Sequence, residues 1–205
     1  MFAPAGQSTQ MIVGATAESD QQVLNSANYF YKNFNLKRVC YSGYVPVLAD
    51  KRLPGLNTAV PMVRENRLYQ ADWLMRFYGF KVNEIVNETQ PLLDLDIDPK
   101  LSWAIRNLQV FPININTADL QIILRVPGIG VLSAQKIMSA RKFRKLSWEN
   151  LKALGVAINR AKYFICCQSS EFERRDLTGT KIKQFILAGS QSKYLKNVQT
   201  QLNLF

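Results

Sequence analysis

The chain has no histidine. That removes the commonest metal ligand and the usual general base near neutral pH. Cysteine is scarce: Cys40, Cys166 and Cys167 are three thiols, two of them adjacent. Those spacings build neither a disulfide framework nor a zinc site. No apolar run is long enough to cross a bilayer, and no signal-peptide pattern is found. The expectation is a cytoplasmic protein with no membrane partner. Carboxylates are scarce too, but only in one half. Residues 1–99 carry 9 Lys and Arg against 10 Asp and Glu, a net of −1, whereas residues 100–205 carry 17 against 5, a net of +12.

What is present is a globular chain. At 205 residues, with 47% hydrophobic and 20% charged residues, it can bury one large core or two small ones and is not disordered over most of its length. A near-neutral first half joined to a strongly basic second half places polyanion binding in the second half.

In the first half, residues 10–15 read as a short buried strand. Residues 16–20 open a helix with acidic groups near the positive end of its dipole, and residues 37–42 read as a second strand. Strand, helix, strand at this spacing gives a parallel pair. Two strands do not finish an α/β sheet, so this half is part of a larger sheet or is completed by something else. Residues 44–61 read as a long loop. Residues 63–78 form a helix stopped by Gly79, and a short helix starts near Val82. Residues 87–98, with Asp94, Asp96 and Asp98 alternating, read as an acidic linker. Asp98-Pro99 is an N-cap followed by proline at the first helical position.

The second half centres on Val126-Pro127-Gly128-Ile129-Gly130. Apolar residues at helical spacing on both sides predict helix, tight turn, helix, with the first helix capped by Asn116 or Thr117 and the second running over 131–142. The two glycines bare backbone N–H groups at the start of the second helix, an arrangement suited to an anion. The candidate phosphate-binding residues are Pro127, Gly128, Ile129, Gly130, Ser133, Lys136, Arg141 and Lys142. Ser147 starts a further helix, and Leu154-Gly155-Val156 is a second turn followed by a helix through Ile165, with Cys166-Cys167 on its apolar face. The two helix pairs form a weak internal repeat. From Ser169 onward the chain is polar and basic, and partial order is expected.

Residues 114–141 resemble the helix-hairpin-helix motif of DNA repair and uptake proteins, through Asn116-Thr117-Ala118, Leu124-Arg125-Val126-Pro127-Gly128-Ile129-Gly130, Ala134, Ile137 and Arg141. The second unit looks like a degenerate copy without the paired glycines. Met11-Ile12-Val13-Gly14-Ala15-Thr16-Ala17-Glu18-Ser19-Asp20 is similar to the later barrel strands of radical S-adenosylmethionine enzymes, and residues 67–80 and 99–104 strengthen the likeness. Taken in order, residues 1–168 resemble the C-terminal part of the radical S-adenosylmethionine proteins of DNA modification and repair.

The resemblance implies an α+β chain, mostly α. A partial-barrel-like incomplete α/β unit occupies 1–88, an all-α tandem helix-hairpin-helix domain occupies 89–170, and a partly ordered basic tail occupies 171–205. It implies sequence-independent binding of duplex DNA. It also implies adenosyl contacts at Gly14 and Glu18 where a whole barrel exists. The family's Cys-x3-Cys-x2-Cys motif is absent here. An iron–sulfur cluster and S-adenosylmethionine therefore enter only if a missing N-terminal segment or partner protein supplies the rest, and the chain alone holds no complete active site. Two other readings stay open: the C-terminal portion of such an enzyme, and a protein-interaction module.

Overall fold

The structure, a computed structural model, describes residues 4–47, 49, 52–56, 58, 60–167 and 178–189. It is mixed α and β, with helix well in excess of strand. The chain divides into two compact units, 1–99 and 100–205.

Unit one begins with β1 (Ser8–Val13), α1 (Asp20–Phe34) and β2 (Arg38–Gly43). The strands pair in parallel, Ser8 opposite Arg38 through Val13 opposite Gly43. Ser19 caps α1 in a capping box with Gln22, and Asn35 ends it in the left-handed region. Two more helices follow, α2 (Met62–Phe77) and α3 (Val82–Ile85). Val13, Val39 and Tyr41 point from one sheet face into a core with Leu24, Ala27 and Leu68, while Ser8, Gln10 and Ile12 lie exposed on the other face.

The outer edge of β2 is closed by side chains. Val39 N donates to the Tyr31 hydroxyl at 2.9 Å, Tyr41 N to the Tyr69 hydroxyl at 3.0 Å, and Gly43 N to Glu65 Oε1 at 2.8 Å. The Tyr69 hydroxyl returns a bond to the Tyr41 carbonyl at 3.1 Å. The buried Asp72 carboxylate anchors this wall: its Oδ1 accepts from Tyr31 at 2.7 Å and Tyr41 at 3.2 Å, and Arg76 pairs with Oδ2 at 3.5 Å.

The boundary between units falls after Pro99 rather than after residue 88. Residues 91–97 are not a free linker. Gln21 N donates to the Pro91 carbonyl, Leu93 N to buried Asp20 Oδ2, and the Arg67 guanidinium to the carbonyls of Asp94 and Leu95. The Asp94 carboxylate, read as one of an acidic alternation, accepts from Asp96 N and Ile97 N and shapes a turn.

Unit two contains α4 (Pro99–Arg106), a 3-10 turn (Leu108–Val110), β3 (Ile113–Asn114), α5 (Leu120–Ile123), α6 (Val131–Ala140), α7 (Trp148–Ala153), α8 (Ile158–Ala161) and β4 (Ile165–Cys166). It is not all-α. The Phe111-Pro112 peptide is cis. Strand β3 pairs in parallel with β4, Ile113 opposite Ile165 and Asn114 opposite Cys166. The last helix therefore stops at Ala161 instead of running to Ile165, and Cys166-Cys167 lies on and just past a strand. The N-cap of α5 is Asp119, not Asn116 or Thr117. A further helix, α9 (179–189), falls within the stretch read as a basic tail. Ile182 is buried, Phe185 stacks on Tyr163, and Gly179 lies against Ile105. The rest of that expected tail, 171–177 and 190–205, lies outside the described residues, as do residues 48, 50, 51, 57 and 59 of the 44–61 loop. Among the described residues no helix is long and apolar enough to cross a membrane.

Candidate nucleic-acid interface

Helices α5 and α6 meet at a four-residue turn. Ile129 N donates to the Val126 carbonyl at 3.2 Å. Pro127 takes the second position and Gly128, at φ 90°, the third. This is a type II arrangement: proline supplies the fixed φ and only glycine enters the positive region without strain. Pro127 and Ile129 are buried, Gly128, Gly130 and Val131 are half-buried, and Leu132 is 72% exposed. Gly130 is the N-cap of α6, with extended backbone at φ −86° and ψ 168°. The Ile129 amide is thus spent inside the turn. Among the described residues, the amides of Gly128, Gly130, Val131 and Leu132 meet no acceptor within the chain. The bare N–H groups expected on Gly128, Ile129 and Gly130 accordingly lie on Gly128, Gly130 and the first turn of α6.

The second helix pair is closed differently. Val156 N donates to the Leu151 carbonyl and Gly155 N to the Lys152 carbonyl, both at 3.1 Å, around Gly155 at φ 86°. That is a Schellman ending of α7. The two turns interlock. Ala157 N donates to the Gly128 carbonyl at 2.9 Å, and the Ser133 hydroxyl to the Gly155 carbonyl at 3.1 Å. Leu124, Gly128, Ile129, Ala134 and Ile137 recur 27 positions later as Leu151, Gly155, Val156, Ala161 and Phe164. That spacing is the signal that marks Gly155 as the counterpart of Gly128.

The remaining candidates separate by role. Lys136 and Lys142 are exposed. Ser133 holds the second turn. Arg141 Nη1 donates to the carbonyls of Ile115 and Ala118, at 3.2 and 2.6 Å, and so braces the entry to α5. Asn116, expected as a cap, clamps Leu146 from both sides: Leu146 N donates to its Oδ1 and its Nδ2 to the Leu146 carbonyl. Lys100 was not singled out by sequence. It is 8% exposed, and its Nζ donates to the Ile129 carbonyl at 2.6 Å. Its signal is a lysine in the first turn of a helix, where the dipole disfavours a cation.

Residues 120–170 carry nine Lys and Arg and one carboxylate, Glu149, in the first turn of α7. Asp119 caps α5 at the end of that helix remote from the turn. Neither turn therefore has a carboxylate in its own sequence.

In unit one, Gly14 and Glu18 are brought together but spent on one another. Glu18 Oε1 accepts from Gly14 N at 2.6 Å, and Oε2 accepts from the Thr16 hydroxyl. Burial opposes the Glu18 charge, but the Thr16 hydroxyl, the Gly14 amide and the nearby Arg64 outweigh it and hold its pKa below the usual carboxylate value. Gly14, at φ 80°, has Val60 packed where a Cβ would stand. With the Gly14 amide and both Glu18 oxygens engaged within the chain, these residues present no cradle for an adenosyl group. Among the described residues no group of three Cys, Asp or Glu is placed to hold a metal ion. No family model, curated protein or solved structure matches this chain.

Proposed function

We propose that unit two binds duplex DNA without regard to sequence, as part of a DNA repair or modification protein, with the turn at 127–130 acting as a helix-hairpin-helix phosphate grip. The observation that carries this reading is the row of open amides on Gly128, Gly130, Val131 and Leu132 at the dipole-positive end of α6, in a stretch almost free of carboxylates. Backbone donors and a helix N-terminus recognise phosphate oxygens, and such contacts carry no base information. Lys136 and Lys142 add charge.

The test is fluorescence anisotropy of the full chain with a duplex at 50 and 200 mM salt. Neutralising three or four phosphates lowers affinity about 40- to 150-fold over that range. Gly130→Val, at a backbone conformation open to any residue, crowds the grip and is expected to weaken binding, with the urea midpoint of the variant checking that unit two still folds. Absence of binding at 50 mM salt overturns the reading.

A second reading, that unit one belongs to a larger parallel sheet of the radical S-adenosylmethionine type, is favoured by one observation. The amides and carbonyls of Ser8, Gln10 and Ile12 point away from β2, and among the described residues they have no partner. On this reading the chain alone lacks half the pocket. Calorimetry with S-adenosylmethionine is expected to show no heat, and micromolar binding refutes that expectation.

A further inference from the structure

The peptide unit joining Ile129 to Gly130 faces two ways. Its carbonyl belongs to Ile129 and accepts from buried Lys100 Nζ at 2.6 Å. Its N–H belongs to Gly130, one of the open amides of the turn. The bond is trans, since the cis peptide among the described residues is Phe111-Pro112, and a planar trans peptide points its C=O and N–H in opposite directions. Drawing the oxygen toward a buried ammonium therefore turns the Gly130 N–H outward. A charged donor on the carbonyl also polarises the amide and strengthens its N–H as a donor.

We infer that Lys100 is the positioning residue of this turn: from beneath, it aims and polarises the Gly130 amide toward a phosphodiester oxygen that it does not itself touch. Its place in the first turn of α4 fits this role. A cation there gains nothing from its own helix, and a lysine this buried is uncommon unless its head has a specific partner. The inference rests on the phosphate-grip reading above. It adds that the grip is built from two elements, α4 and the turn, rather than from the hairpin alone.

The test uses the full, nitrogen-15-labelled chain and a short duplex at 50 mM salt. Lys100→Met keeps the aliphatic stem and removes the donor. The expected result, measured without nucleic acid, is an upfield nitrogen shift of the Gly130 amide with Gly155 unmoved. In the binding arm, duplex affinity falls about tenfold while the salt slope keeps its value, because Lys100 neutralises no phosphate. Lys100→Arg, which retains a charged donor, keeps both the amide shift and affinity within about threefold of the parent. If Lys100→Met does not fold, Lys100→Gln is read the same way against Lys100→Arg. A Gly130 amide that stays in place with affinity unchanged overturns the inference and leaves the grip standing. A parent chain that binds no duplex overturns the grip itself, whatever the amide shift.

Discussion

Gly128→Ala tests whether the two helix pairs are locked through their turns. The residue sits at φ 90°, where an L side chain costs about 1–2 kcal/mol. An added Cβ would stand 2.7 Å from the Ala157 carbonyl oxygen and 3.2 Å from Ala161 N, backbone atoms of the N-cap and the last residue of α8. Relieving that contact means moving α8 as a body, and overpacking of this kind costs about 1–3 kcal/mol. The Ala157 N–H bond to the Gly128 carbonyl stretches with it, for about 1 kcal/mol more. These are not fully additive, and we expect about 3–4 kcal/mol in all. The internal control is Gly155→Ala. Its φ of 86° carries the same strain, but among the described residues its Cβ meets the Ser133 hydroxyl alone, at 3.2 Å, a side-chain atom that gives by a few tenths of an ångström without moving a helix or losing its bond to the Gly155 carbonyl, so the cost is about 1–2 kcal/mol. For a unit of this size the difference of about 2 kcal/mol separates the two melting points by roughly 8–16 °C. Thermal and urea unfolding followed through Trp103, buried in the same unit, read it out. Equal midpoints, or Gly128→Ala as the milder variant, refute the interlocked-turn account.

Arg141→Met is expected to destabilise unit two by about 2 kcal/mol, because a charged donor to two carbonyls is lost, whereas Lys136→Ala leaves the urea midpoint in place and lowers the salt slope of duplex binding by about 1. In unit one, burial and then the hydrogen bond to Asp72 push the Tyr31 hydroxyl from 10.0 up to about 12, and burial with the Asp72 charge raises Tyr41 further. The folded state therefore holds neutral phenols that the unfolded chain ionises near pH 10. Their contribution is full below that pH and is lost as pH rises from about 10 toward 12. Urea midpoints between pH 8 and 11.5 should fall above pH 10, and Tyr31→Phe should flatten the fall. Tyr69→Phe uncaps the Tyr41 amide and carbonyl together. It is expected to cost about 1–3 kcal/mol and to produce concentration-dependent association by sedimentation, and a strictly monomeric variant would refute a capping role for the hydroxyl.

Local signals carried most of the elements. The capping boxes at Ser19 and Ser147, Gly79 after α2, Pro99 at the first position of α4 and the Pro127-Gly128 turn all act within four residues of the backbone they shape, so a single sequence displays them. The parallel pairing of β1 with β2 followed from the length of the helix between them. The misreadings of Asn116, Arg141 and Ile165 share one cause, distance along the chain. Asn116 looks like a cap because caps are local, but Leu146, thirty residues on, satisfies its amide. Arg141 looks like a surface cation until the carbonyls of Ile115 and Ala118 are folded against it. Ile165 has helical spacing from Ala161, but Ile113 offers it a strand partner. A pattern of residue types reveals which groups want partners, while the fold decides which partners they receive.

The same distinction governs the sheet. Two parallel strands are too few to be stable alone, since each leaves one row of amides and carbonyls without a ladder. In unit one the outward amides of Val39, Tyr41 and Gly43 and the Tyr41 carbonyl of β2 are satisfied by side chains from two helices. Tyr31 arrives from α1, and Tyr69 and Glu65 arrive from α2, four residues apart and so on one helix face. Asp72, one turn beyond, orients Tyr31 and Tyr41 from behind. An i, i+4, i+7 row of Glu, Tyr and Asp reads from sequence as half a solvated face, whereas here it serves as a third strand made of side chains. Because that substitute closes β2 alone, any further strand this sheet accepts must add at β1.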